Sequence, residues 1–221
     1  MATATSVHME LQSLLKSRKN FYQLLRLLFQ MPTRNNQYSE ILTNCNLQEL
    51  EEIHVGGKIL SGFFQHLSND SLKNEREEYQ RLFLGPGPLA APPWESYYRS
   101  KEQLLFEEWT YQVREQYHQF GLKYMRENNE PDDHLLLELE FMINLIDLTL
   151  LETKPDRFIE LISSQQLFLE KHLTVWIPYF CKRVIQSTSS PLFLGAAMLL
   201  DDFINDDLTT LYEVKEALAD V

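Results

Sequence analysis

Histidine and glutamate stand at helical spacing at several places, among them Glu51 with His54, Glu115 with His118, and His134 with Glu138. Glu-x-x-His places two ligating side chains one turn apart on one helix face, the spacing used in di-iron helical bundles. Against the apolar stripe that runs through Trp109 and Phe120, however, Glu115 and His118 project to the opposite, solvent side. Ligands placed there do not meet across a bundle core, and charged surface residues are the simpler account. His134 and Glu138 differ in projecting to the same side as Phe141, Leu145 and Leu148. Two roles fit them. The imidazole packs over the helix end and bonds Glu138 or a carbonyl, or this helix end opens into a cleft where a ligand meets Asp133 and His134.

Other chemistry is excluded by what is missing. The sequence has no G-x-x-x-x-G-K-[ST] phosphate loop, no G-x-G-x-x-G after a strand and no G-x-S-x-G elbow. Gly85-Pro86-Gly87 does not replace a phosphate loop, because proline removes a backbone donor. Cys45 and Cys181 stand far apart with no CxxC partner, so neither a disulfide framework nor a cysteine-rich zinc site is expected. Cys181 reads as a buried thiol. The expectation is no catalytic residue, no metal and no cofactor.

A second polar-poor stretch is informative for binding. Between Gly85 and Pro93 the chain holds Pro86, Pro88, Pro92 and Pro93 with two glycines, so a helix must stop there and the chain cross over in extended form. Tyr79, Leu82 and Phe83 precede this loop on one helix face and Trp94 follows it. A loop stiffened by proline loses little entropy when a partner settles against it. It serves equally as a rigid hinge whose aromatic flanks are core.

The elements that must carry these residues are all helical. Apolar residues recur at helical period over 6–30, 47–67 (with Gly56-Gly57 as a break), 71–84 after the Ser68-Asn69-Asp70 cap, and 100–121. The 100–121 stripe runs through Leu105, Phe106, Trp109, Val113, Tyr117 and Phe120, and residues 35–46 are polar and turn-like. Pro131 suits a first helical turn, with Asp132 and Asp133 at its positive end, opening an apolar helix that reads as the buried central one. Further helices are expected from Pro155 to about His172, from Tyr179 to Gln186 with Pro178 opening or interrupting it, and from Pro191 onward with a bend at Asn205–Asp207. The fold class is all-α, a single globular domain over 1–221 of about nine or ten helices, with halves of about 1–84 and 95–221 linked by the loop 85–94.

The 221 residues carry a formal charge of −12 and are 44% hydrophobic. That balance opposes binding to nucleic acid or anionic lipid and favours a basic peptide, unless acidity serves solubility alone. Glu138, Glu140 and Asp147 interrupt the most apolar segment, so no stable membrane insertion is expected. No secretory signal is read at 1–19, and a cytoplasmic location is expected.

Y-Q-R-L-F-L-G-P-G-P-L-A-A-P-P-W-E-S at 79–96, followed by E-P-D-D-H at 130–134, resembles the TorD/DmsD family of redox-enzyme maturation chaperones. The resemblance implies a cytoplasmic chaperone, not an enzyme. Such a protein binds the twin-arginine signal peptide of a molybdenum-containing oxidoreductase, such as a DMSO reductase, and holds the precursor of that catalytic subunit back from export until its cofactor is in place. By motif position Tyr79, Leu82, Phe83 and Trp94 match the family's leader-binding residues, and Pro131, Asp133 and His134 match its E-P-x-D-H motif. Glu138 joins them by helical spacing. A monomer or a domain-swapped dimer is compatible. Gly87 stands where some members carry tryptophan, a departure that bears on how the groove is walled. The expected geometry sets the proline loop and the Asp133–His134 corner facing each other across a groove. The alternatives are a helical adaptor and a metal-dependent helical-bundle enzyme.

Overall fold

Ser68 shows how this chain starts its helices. Its hydroxyl accepts from the Ser71 amide while Ser71 bonds back to the Ser68 backbone, a reciprocal cap opening α4. The computed structural model describes residues 4–32, 38 and 47–219. The polar segment 35–46 therefore lies, apart from Tyr38, outside the described residues, as does Cys45. Within them the chain forms α1 (Ala4–Leu28), α2 (Leu47–Ile53), α3 (Val55–Gln65), α4 (Asn69–Tyr79), a π-helical turn (Gln80–Leu84) and α5 (Glu95–Arg99). Then follow α6 (Glu108–Gln119), α7 (Leu135–Leu151), α8 (Pro155–Phe168), a second π-helical turn (Leu169–Leu173), α9 (Thr174–Ser187) and α10 (Pro191–Ala219). Among the described residues there is no β-strand, only the isolated bridges Trp94–His134 and Glu127–Glu130, so the fold is all-α.

α10 is the hub, packing on α3, α9, α8 and α1, while α7 lies against α1 and α8. α7 was expected to be the central helix. It buries Leu139, Phe141, Met142, Leu145 and Ile146 but leaves Leu148 and Leu151 exposed, so it has one wet edge. A buried polar network ties four of these helices. Arg18 on α1 donates to Asp207 on α10 (2.5 and 3.0 Å) and to Gln165 on α8 (2.7 Å). Tyr22 also donates to Asp207 (2.7 Å), and Gln165 donates to Thr149 on α7 (2.8 Å).

Several boundaries differ from the sequence expectation. The break after α2 falls at His54, whose imidazole caps α3, and not at Gly56-Gly57. Those glycines instead permit close packing: a Cβ on Gly57 would lie 2.1 Å from the Leu50 carbonyl oxygen, and one on Gly56 2.7 Å from that of Gly195. The helix expected from Ser100 starts only at Glu108, and Leu105 and Phe106 are exposed in the preceding turn instead of continuing the stripe. Pro131 precedes α7 without joining it, because His134 is the cap residue. Pro178 sits inside α9 and opens nothing. Before it the π turn widens the helix, and Thr174 Oγ1 donates to the Leu169 carbonyl (2.9 Å). Finally, α10 runs without interruption through Asn205–Asp207, where a bend was expected. Asp207 turns inward to Arg18 and Asn205 bonds back along the helix to Asp201, so no polar residue forces a break.

Candidate functional site

The two sequence motifs meet, but not across a groove. The Leu135 amide donates to the Pro93 carbonyl (2.9 Å) and the Glu95 amide to the Asp133 carbonyl (3.0 Å), forming the antiparallel bridge between Trp94 and His134. Their rings meet edge-on with centroids 5.5 Å apart. The expected cleft between the motifs is thus closed by main-chain pairing, and Trp94 and His134 form one half-buried surface feature.

Asp133 lies beneath it, fully buried. Its Oδ2 accepts from the Ser96 amide (2.6 Å), capping α5, and its Oδ1 accepts from the Thr110 hydroxyl (2.8 Å). Burial raises its pKa, opposed by those bonds. The aspartate expected to complement α7 therefore caps a different helix. Asp132 pairs instead with Arg114 (2.7 Å to Nε), and Pro131 is buried beside it.

His134 Nδ1 accepts from the Leu136 amide (3.1 Å), and burial pushes its pKa down to about 4. A neutral imidazole bonded this way carries its proton on Nε2. His134 thus offers an N–H donor, and the Trp94 indole offers another; together they suit the carbonyl oxygens of a peptide main chain. Glu130 in the same motif accepts from Tyr124 (2.5 Å) and Arg126 (2.5 Å), which holds its pKa below the usual carboxylate value.

Glu138 does not reach His134 as the helical spacing suggested. It is fully buried and accepts from the Trp176 indole (2.9 Å) while its second oxygen has no partner among the described residues. Burial and the neighbouring Glu95 push its pKa well above the usual carboxylate range. Glu95, also buried, bonds the Arg99 guanidinium and lies 2.9 Å from His172 Nδ1. Arg99 covers the Trp109 ring at 3.6 Å, and these residues with His172 line a cavity of about 320 Å³. Sequence reasoning missed this cluster because His172 and Trp176 stand 77 and 38 residues from their partners. The one available signal was Glu95 inside the W-E-S triplet.

Tyr79, Leu82 and Phe83 belong to the core behind the loop. Leu82 and Phe83 are buried, and the Phe83 ring packs on Phe29, Phe180, Phe193 and Tyr79 at 5.2–6.1 Å. Tyr79 is half-buried against Phe193. Among the described residues neither ring touches Trp94 or His134, so they do not form one wall with Trp94. The loop itself is anchored, with the Ala90 and Ala91 amides bonded to the Arg81 and Leu82 carbonyls (3.3 and 2.9 Å). Only its tip, Pro86 to Pro88, is exposed, and Gly87 there adopts φ 107° with nothing within 4 Å of a Cβ position.

The Glu-x-x-His pairs make other contacts. His54 lies 2.6 Å from Asp202, Glu51 accepts from Ser61 (2.7 Å), and His118 lies 3.3 Å from Glu127. No group of three metal-ligating side chains is assembled among the described residues, and no described helix is long and apolar enough to cross a membrane.

Comparisons with known proteins bear on the same segment. The family described as nitrate reductase delta subunit matches residues 45–182, more than half the chain and including both motifs. The chaperone protein TorD of Aliivibrio fischeri is 31% identical over 58% of this chain and 60% of its own length. A Tat proofreading chaperone DmsD of Haemophilus influenzae is 24% identical over 86% of this chain and 89% of its own. Against several of the TorD relatives the match spans about 60% of their length. A redox enzyme maturation protein from Archaeoglobus fulgidus shares the fold at TM-score 0.57 and 22% identity, over 85% of this chain and 93% of that one. The chain belongs to the TorD/DmsD family of redox-enzyme maturation chaperones, whose members compared above are named chaperones.

Proposed function

We propose that this protein is a cytoplasmic chaperone that binds the twin-arginine signal peptide of a molybdenum-containing oxidoreductase and delays its export until the cofactor is inserted. The observation that carries this is the bridge joining Trp94 to His134. Two motifs far apart in sequence become one half-buried surface carrying two N–H donors, suited to hold an extended peptide by its carbonyl oxygens. An overall charge of −12 favours approach of a peptide bearing paired arginines, and His134, neutral near pH 7, adds no repulsion. Pro131 and Asp133 hold this surface from beneath, whereas Leu82, Phe83 and Glu138 are buried in the core. Tyr79, half-buried on the turn before the loop, offers a second contact for the leader's apolar segment.

Titration of the purified protein with a twin-arginine leader peptide, against a Lys-Lys control, tests the proposal. Arg-Arg leader binding is expected, weakened at least about tenfold in Trp94→Ala with thermal unfolding retained. Absence of binding to either peptide overturns it.

A further inference from the structure

Helix α9 has two faces. Trp176, Ile177, Phe180, Cys181 and Val184 are buried, whereas Tyr179, Lys182, Arg183, Gln186 and Ser187 line an open cleft of about 590 Å³ with Ala90 and Tyr98. The five helical positions follow i, i+3, i+4, i+7 and i+8, a single strip about 12 Å long.

Charge on this strip departs from the rest of the molecule. Every other described arginine lies against a carboxylate, except Arg76, which donates to the Pro32 carbonyl. Arg183 instead donates through Nε to the Ala90 carbonyl (2.6 Å), with its guanidinium 5.3 Å from the Tyr97 ring centroid. Its two terminal nitrogens have no partner among the described residues. Lys182 is exposed and makes no ion pair there, and no Asp or Glu lines the cleft. The helix dipole does not account for the two cations, since its effect is confined to the last turn and they precede it. In a chain of charge −12 this is a local positive field, with a reach of about 8 Å at physiological ionic strength.

Beside the cations, Tyr179 is 64% exposed, and Tyr98, which also lines the cleft, has a buried hydroxyl without a hydrogen-bond partner among the described residues. The geometry points to a docking strip for an extended acidic peptide. One carboxylate pairs with the free nitrogens of Arg183, Lys182 attracts a second, and an apolar side chain lies on Tyr179. Successive helix positions diverge by about 100°, so the two cations do not converge on a point, and the strip suits charges spaced along a chain better than one small anion. It repels an arginine pair. This site and the Trp94–His134 surface therefore take segments of opposite charge, and the inference stands on the strip's own chemistry.

The test is fluorescence anisotropy with a short labelled peptide carrying paired glutamates and a phenylalanine, beside its glutamine isostere and with inorganic phosphate as competitor. The glutamate peptide is expected to bind and the isostere not, with binding weakened by salt and about tenfold by Lys182→Glu. Thermal unfolding of that variant is expected to match wild type, because Lys182 is exposed and has no ion-pair partner among the described residues. Tyr179→Ser should weaken the same peptide. Equal binding of both peptides, no binding, indifference to Lys182→Glu, or occupancy by phosphate alone overturns the inference. The twin-arginine leader, titrated in parallel, should be unaffected by Lys182→Glu, so failure at one site is distinguishable from failure at the other.

Discussion

Glu138 illustrates how burial changes what a motif residue does. From its spacing it belongs beside His134 in a polar cleft; in the fold it is sealed against Trp176 and Glu95, with one oxygen unpaired among the described residues. Its pKa is raised in the folded protein, so its contribution to stability is full below the unfolded carboxylate pKa and is lost as pH rises through the folded value. Glu138→Gln keeps an acceptor for the Trp176 indole and removes the charge. Urea unfolding should therefore show the variant gaining on wild type from pH 4 to pH 8, with little difference at the acid end. A variant less stable than wild type at pH 8 would mean that the ionised carboxylate is favoured by its surroundings.

At the scale of elements, close approach of α3 to its neighbours depends on residues without a Cβ. Gly57→Ala drives a methyl group into the Leu50 carbonyl and is expected to destabilise by about 3 kcal/mol. Gly62 lies on the exposed face of the same helix with nothing within 4 Å of its Cβ position. Gly62→Ala is expected to stabilise by about 0.5–1 kcal/mol through helix propensity. Chemical denaturation of the pair separates packing from propensity within one helix, and similar shifts in both would refute the packing account.

For the whole molecule, the Arg18–Asp207 pair links the segment before the proline loop to the C-terminal helix, and Gln165 and Thr149 extend the link to α8 and α7. Asp207→Ala leaves Arg18 buried without its counter-charge and is expected to cost about 3–5 kcal/mol. Trp94, Trp109 and Trp176 all follow the loop, so their fluorescence reports the second half while far-UV circular dichroism reports both. Coincident midpoints by the two probes, shifted together in Asp207→Ala, are expected if the halves unfold as one unit. Separate transitions would show that the loop divides two independent domains.

Helix content was legible in the sequence because a 3.6-residue apolar period is a local property, and the Ser68 cap and the proline stop are local too. Both motifs, 79–96 and 130–134, were legible as strings of residue types. One boundary failed locally, where His54 and not the glycine pair separates α2 from α3, and another failed where a distant contact replaced a local signal, since Asp133 caps α5 instead of the helix that follows it. The sequence by itself determined an acidic, all-helical protein with a stiff crossover and an E-P-D-D-H corner. Only the tertiary structure decided that Trp94 and His134 are bridged neighbours, that Leu82, Phe83 and Glu138 are core, and that Lys182 and Arg183 lie in a cleft without acids. Those outcomes depend on which segments meet across the core, a matter of packing complementarity that no single stretch of chain encodes.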